Sequence, residues 1–195
     1  MPNKRFLVIG SNSFSGSNFI NKVLKEGYYT HGVSRSKIAN KIFLPFFWDK
    51  SKKENLKNFS FTRIDLNKDL ESLMKLIEHD EITHIVNFAA QGMVAESWKN
   101  PLNWYQTNLI SQIAFHDELR KRSFIKKYVH FTTPEVYGDT KDKCIPENTH
   151  FLPSTPYAVS RAACDLHLQS FFKAYNFPVV FTRAANVYGP GQQLY

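Results

Sequence analysis

"RFLVIGSNSFSGSNFINKVLKEG", residues 5–27, holds the first structural unit of the chain. It opens on a short apolar run, Phe6–Ile9, that stops at Gly10, the pattern of a buried strand. Helical spacing follows, with Phe19, Ile20, Val23 and Leu24 on one side and Gly27 as the stop. Between strand and helix, Gly10 and Gly16 occupy the outer positions of a G-x-x-G-x-x-G pattern. Ser13 stands at the middle position, and Phe14 and Ser15 complete the turn. Such a turn lets the backbone approach a pyrophosphate at a helix N-terminus. An ordinary strand-to-helix turn shares the frame. Its place as the first element of the chain favours dinucleotide binding.

The same alternation continues downstream. "YTHGVSR", "FSFTRIDL", "THIVNFAA", "KKYVHFTT" and "PVVFTRAANVYG" read as strands two to six. "DLESLMKLIEHD", "NPLNWYQTNLISQIAFHDELRKR" and residues 155–175 read as helices, and residues 37–58 as irregular with an aromatic piece, "FLPFFW". Strands alternating with helices predict an α/β fold with a doubly wound parallel sheet. Ligands bind such sheets at the carboxyl ends of the strands.

At 195 residues, with 43% hydrophobic and 22% charged, the chain suits one globular domain with a sizeable core. The two cysteines, Cys144 and Cys164, form no C-x-x-C pair, and none of the seven histidines pairs with a Cys at zinc spacing. No metal and a reducing, cytoplasmic compartment are expected. The apolar runs are too short to span a bilayer, and with "MPNKRFLVIG" running straight into a strand no signal peptide is expected. The net charge of +8 invites a nucleic-acid reading. However, the lysines are dispersed, and the densest cluster, "DKSKKENLKN", carries two acids and reads as a solvated loop. An anionic small molecule suits the basic surface as well, and no nucleic-acid or membrane partner is expected.

The end of strand two separates NAD from NADP. An acid there binds the ribose hydroxyls, whereas an Arg accommodates a 2′-phosphate. "GVSRS" places Ser34 and Arg35 at that tip, which favours NADP and leaves NAD possible. In "STPYAVSR", residues 154–161, Pro156 suits a first helical position and Ser154 or Thr155 can cap it. Tyr157 and Arg161 then share one face of the helix, one turn apart. A fixed cation beside a phenol favours its ionisation and readies it for proton transfer. A packed Tyr with a snorkelling Arg gives the same spacing.

Taken in order along the chain, these motifs resemble the extended short-chain dehydrogenase/reductase family. Within it they are most similar to the nucleotide-sugar 4,6-dehydratases of the dTDP-glucose type. The resemblance rests on the Gly10–Gly16 turn, "RIDL", "NFAAQ", Ser97, Pro101, Thr107–Asn108, "TTPEVYGD", "STPYAVSR" and "TRAANVYGPGQQ". It implies a Rossmann-type sheet with cofactor contacts from Gly10, Ser13, Phe14, Ser15, Gly16, Ser34 and Arg35. Asp65 and Leu66 would meet the adenine, with Phe88, Ala89, Ala90, Thr107, Tyr157 and Arg161 completing the cofactor site. Gln91, Thr133 and Asn186 would touch the nucleotide-diphosphate sugar.

The implied chemistry is internal redox. Tyr157 takes the proton of the sugar 4-hydroxyl as hydride leaves C4, and Thr133 hydrogen-bonds that oxygen. Glu135 removes the C5 proton, water leaves from C6, and the hydride returns there. Arg161 is the fourth catalytic candidate and stands where the family has Lys. Pro134 stands where the dTDP-sugar enzymes have Asp, and Ser13 where the family has Gly. Arg differs from Lys in length and donor geometry, so that exchange is not conservative. The family also has a C-terminal substrate-binding region. This sequence stops at "GPGQQLY", so residues 1–195 are expected to be one dinucleotide-binding domain, a fragment without its substrate domain.

Epimerases and decarboxylases of the family, and a catalytically inert NADP-binding protein, remain alternatives. The resemblance further implies a homodimer formed by the helix of Tyr157 and the long helix before it. Leu109, Ile113, Leu166 and Phe172 would suit that interface, or equally the core.

Overall fold

In the computed structural model, which describes residues 4–140, 144–147 and 150–192, six strands form one parallel sheet. Residues 50–53 are described by backbone only. The strands are β1 (Arg5–Ile9), β2 (Tyr29–Ser34), β3 (Phe59–Arg63), β4 (His84–Asn87), β5 (Lys127–Thr132) and β6 (Val179–Arg183). Their order across the sheet is β3-β2-β1-β4-β5-β6. The helices are α1 (Phe14–Lys25), α2 (Leu70–His79), α3 (Pro101–Tyr105), α4 (Ser111–Leu119) and α5 (Pro156–Tyr175). The chain order reverses between β1 and β4, and at that switch point the carboxyl ends part into a crevice.

The side chains of β1 alternate between two cores. Leu7 and Ile9 join α2, α4 and α5 residues such as Leu73, Ile77, Phe115 and Leu168. Val8 faces the other way, onto Ile20 and Leu24 of α1 and onto Leu44 and Phe46. Those last two explain the aromatic stretch. The crossover from β2 to β3 is built from short 3-10 turns at Lys41–Phe43, Pro45–Phe47 and Lys50–Asn58. "FLPFFW" therefore packs where a crossover helix would lie, with the Phe46 ring tilted 51° to that of Phe59 and their centroids 4.7 Å apart.

Several expected elements differ in extent. The long helix over residues 101–123 is broken: a π-helical turn, Gln106–Ile110, separates α3 from α4. Strands four and six end early, at Asn87 and Arg183, because their neighbours end there. Ile9 is the last partner of Asn87, and Thr132 is the last partner of Arg183. Leu109 packs against the core, whereas Leu166 and Phe172 are exposed. No helix among the described residues is long and apolar enough to cross a membrane.

At the amino ends of the strands Asp80 accepts from the Tyr29 hydroxyl at 2.6 Å and lies 2.5 Å from His31 Nδ1. Burial would raise its carboxyl, but bonds from Tyr29, His79 and His31 hold it at about 2. This polar closure sits opposite the end where the site forms.

Candidate active site

The turn after β1 needs both of its glycines. Gly10 has φ +81°, and a Cβ there would lie 2.9 Å from the Ala89 backbone nitrogen. A Cβ on Gly16 would overlap the Gly10 carbonyl oxygen. Ser13, at the position of the missing glycine, caps α1: its hydroxyl accepts from Gly16 N at 3.0 Å and donates to Gly10 O at 2.7 Å. The result is a close-packed turn at a helix N-terminus, open to a phosphate.

Beside it runs a cleft of about 380 Å³ along the carboxyl ends of β1 to β4. Gly10, Ser13, Ser34 and Arg35 line it, as do Asp65, Leu66, Phe88, Ala89, Ala90 and Thr107. The sequence reading missed Asn12, Lys37, Ala39, Asn67 and Gln112, which line it too. Ser34 serves the turn: its hydroxyl accepts from Asn12 N at 3.1 Å and lies 3.3 Å from Ser11 Oγ. A second hollow of about 290 Å³ continues past Ser13, Phe14 and Ser15 toward Phe88, Phe131, Val187 and Gln192.

The catalytic candidates line neither hollow and lie on the turn after β5 and on α5. Thr133 is buried and caps a single 3-10 turn, Pro134–Tyr137, by accepting from Glu135 N at 3.3 Å. Pro134 fits because it begins that turn, where no backbone donor is needed. The Thr133 hydroxyl keeps its proton free to donate. Glu135 is exposed, yet partial burial raises its carboxyl above the usual value. Thr155 caps α5 by accepting from Ala158 N at 3.1 Å.

Tyr157 then stands in the first turn of α5, half-buried, its hydroxyl without a partner among the described residues. Its backbone is held from both sides. Tyr157 N donates to the Ser97 hydroxyl at 3.2 Å, and Tyr157 O accepts from the Ser160 hydroxyl at 2.6 Å. The Asn108 carboxamide donates to Ser160 Oγ at 3.1 Å and grips Gln91 by its N–H and C=O. The π-helical turn is what points Asn108 inward, a use typical of such turns.

Arg161 lies deeper than its spacing from Tyr157 predicts. It is 2% exposed, and its guanidinium donates to the carbonyl of Phe131 in β5. Its Nε and Nη1 have no partner among the described residues. Its charge bears on Tyr128, Cys164, Asp165 and His130 in the core. Asp165 accepts from Arg183 at 2.7 Å and from Thr132 at 3.0 Å. Burial pushes the Asp165 carboxyl up to about 6, while Arg183 and Arg161 pull it down. Burial also keeps His116 and His130 well below their ordinary values, hence neutral.

The two remaining substrate candidates fall outside both hollows. Gln91 is half-buried, and Asn186 is exposed on the segment after β6. No group of three or more His, Cys, Asp or Glu among the described residues could hold a metal ion.

A family model described as GDP-mannose 4,6 dehydratase matches residues 7–194. An uncharacterised Schizosaccharomyces pombe protein is 33% identical over 95% of this chain and 54% of its own length. Human dTDP-D-glucose 4,6-dehydratase is 36% identical over 71% of this chain and 39% of its own. The chain thus spans about half or less of the curated relatives it matches. Among solved structures, the NAD complex of Bacillus anthracis dTDP-glucose 4,6-dehydratase superposes with a TM-score of 0.77 at 28% identity, covering 97% of this chain and 57% of that one. The NAD complex of Thermus thermophilus UDP-glucose 4-epimerase gives 0.80 at 27%, with the same coverage of 97% and 57%.

Proposed function

The chain belongs to the GDP-mannose 4,6-dehydratase family, within the extended short-chain dehydrogenases/reductases, and we propose that it carries the cofactor site and proton-transfer groups of a nucleotide-sugar 4,6-dehydratase. One observation supports this reading. A glycine turn and a cleft lie at the carboxyl ends of one parallel sheet, the Thr133–Glu135 turn follows β5, and α5, which opens on a braced Tyr157, packs against that turn. The cradle fits a dinucleotide, since Gly10 and Gly16 let the turn close tightly on backbone that a Cβ would strike, leaving the N-terminus of α1 facing the cleft. Gly10, Gly16 and the first turn of α1 would hold the phosphates, Asp65 and Leu66 the adenine end, and the Phe14–Phe88–Phe131 hollow the nicotinamide end. When bound, the nicotinamide accepts hydride from the substrate and gives it back.

The chain's own groups move the protons. Tyr157 takes the proton of the sugar 4-hydroxyl, and Thr133 donates a hydrogen bond to the same oxygen. Glu135 then removes the C5 proton, which the neighbouring ketone has made acidic. Because its carboxyl is raised, exchange of the C5 proton with solvent deuterium should increase as pH climbs through that raised value, where the base becomes ionised. Glu135→Gln should lower this exchange about a hundredfold or more and leave cofactor affinity intact. Unchanged exchange in the variant would remove Glu135 from the role.

A second reading, cofactor binding without turnover, is favoured by the burial of Arg161 and by Pro134, which cannot donate a proton. Mass analysis for a 4-keto-6-deoxy product across a panel of nucleotide sugars separates the two readings. Substrate contacts from Gln91 and Asn186 belong to the first. So does a homodimer through the helix of Tyr157 and the helix before it, with Leu166 and Phe172 exposed, as does a cytoplasmic site suited to the free Cys144 and Cys164.

The cofactor is NADP in preference to NAD. Arg35 and Lys37 line the cleft at the tip of β2, and Arg63 reaches the same loop, donating to Arg35 O at 2.9 Å. Calorimetric titration should find NADP bound about tenfold more tightly than NAD, and Arg35→Asp should reverse the order. Equal affinities in the wild type would overturn the preference.

A further inference from the structure

The loop that carries Arg35 does not hold itself. Arg35, Ser36, Lys37 and Ile38 are all exposed, and no backbone-to-backbone hydrogen bond reaches residues 35–39 among those described. The ties come from two side chains. Arg63 donates to Arg35 O, and the Asn12 carboxamide makes three bonds at once. Asn12 Nδ2 donates to Lys37 O at 2.8 Å and to Ser36 Oγ at 3.1 Å, and Asn12 Oδ1 accepts from Ala39 N at 3.1 Å. Asn12 itself belongs to the phosphate turn, and its own N–H is fixed by Ser34. One residue therefore joins the pyrophosphate turn to the loop at the ribose end.

We propose that Asn12 is the positioning residue that sets cofactor specificity, by clamping residues 36–39 so that Arg35, Ser36 and Lys37 are preformed around a ribose 2′-phosphate. The inference rests on the NADP reading above. A loop held in place loses little freedom when it meets the phosphate, whereas a loose one loses that freedom on binding and weakens the complex. NAD carries only an uncharged hydroxyl at that position, with no phosphate for the loop to enclose. Loosening the loop therefore penalises NADP selectively, and a general weakening of the turn would not.

Titration of the 195-residue chain with NADP and with NAD tests this, with the cofactor-free melting temperature recorded alongside to report folding. Asn12→Ala should lower the ratio of NADP to NAD affinity about tenfold, through the loss of its loop bonds. In the Arg35→Ala background the same change should add little, because both act on one phosphate contact. A wild type without preference overturns the NADP reading itself. A selective wild type whose ratio survives Asn12→Ala, or two substitutions with additive effects on the ratio, overturns the role of Asn12 alone.

Discussion

Gly16→Ala should cost the protein its cofactor. In most helices this exchange gains about 1 kcal/mol, since Ala restricts the unfolded chain and suits the helix. Here the added methyl would overlap the Gly10 carbonyl oxygen and lie 3.0 Å from Ser13 Oγ and 3.1 Å from the Gly10 carbonyl carbon. Backbone cannot yield as a flexible side chain does, so the turn must open. Overpacking of this kind costs about 1–3 kcal/mol, enough to cancel the helical gain. The larger effect falls on binding. An opened turn misdirects the N–H groups at the start of α1, and each charge-assisted bond to a phosphate contributes about 1.5–3 kcal/mol. A loss of about a hundredfold in affinity is expected by calorimetry. Gly27→Ala is the control. Gly27 has φ +80° but nothing within 4 Å of a Cβ, so it should lose roughly 1 kcal/mol of stability and none of the cofactor affinity. Wild-type affinity in Gly16→Ala would show that the turn is not a phosphate site.

On the dehydratase reading, Tyr157→Phe in the full-length protein should stop hydride transfer and leave the fold untouched. The substitution removes one oxygen. That oxygen has no internal partner among the described residues, so its loss strands no donor or acceptor. The backbone around it stays braced by Ser97 and Ser160. Stability should therefore change by less than about 0.5 kcal/mol. The rate of cofactor reduction after mixing with a nucleotide sugar should fall about 10²–10⁴-fold, the usual effect of removing a general acid–base group. Equal rates would make Tyr157 mere packing at a helix start. Arg161→Lys completes the test. Arg161 bonds Phe131 O, and its charge bears on Tyr128, Cys164 and Asp165 in the core. If the shorter Lys restores the family pair, activity holds or rises. In a retired site both substitutions leave an inactive protein unaltered.

The parallel sheet, the glycine turn, the place of Thr133 and Glu135 just after a strand and that of Tyr157 at a helix start were legible in the sequence, because they rest on local signals. Apolar runs of strand length, helical spacing and a Gly–Gly turn each act within a few residues, and alternation of strand and helix leaves few topologies open. Ser13 was legible as a departure but not as a cap, since its bonds to Gly10 and Gly16 exist only once the turn has closed.

What tertiary structure alone decided lies in contacts between residues distant in sequence. The 3-10 crossover that seats Phe46 on Phe59 has no periodic pattern to announce it. The π-helical turn that brings Asn108 to Gln91 and Ser160 has no signal in the helical spacing of "QTNLI". The Asn12 clamp joins two loops that meet only when β1 and β2 pair. Arg161 and Tyr157 share a helix face by spacing. Yet the bond from Arg161 to the Phe131 carbonyl of β5 accompanies its burial, and that contact exists only in the packed core. Local sequence determined which elements form and in what order. The partners that polar side chains find when those elements pack determined how the site is held.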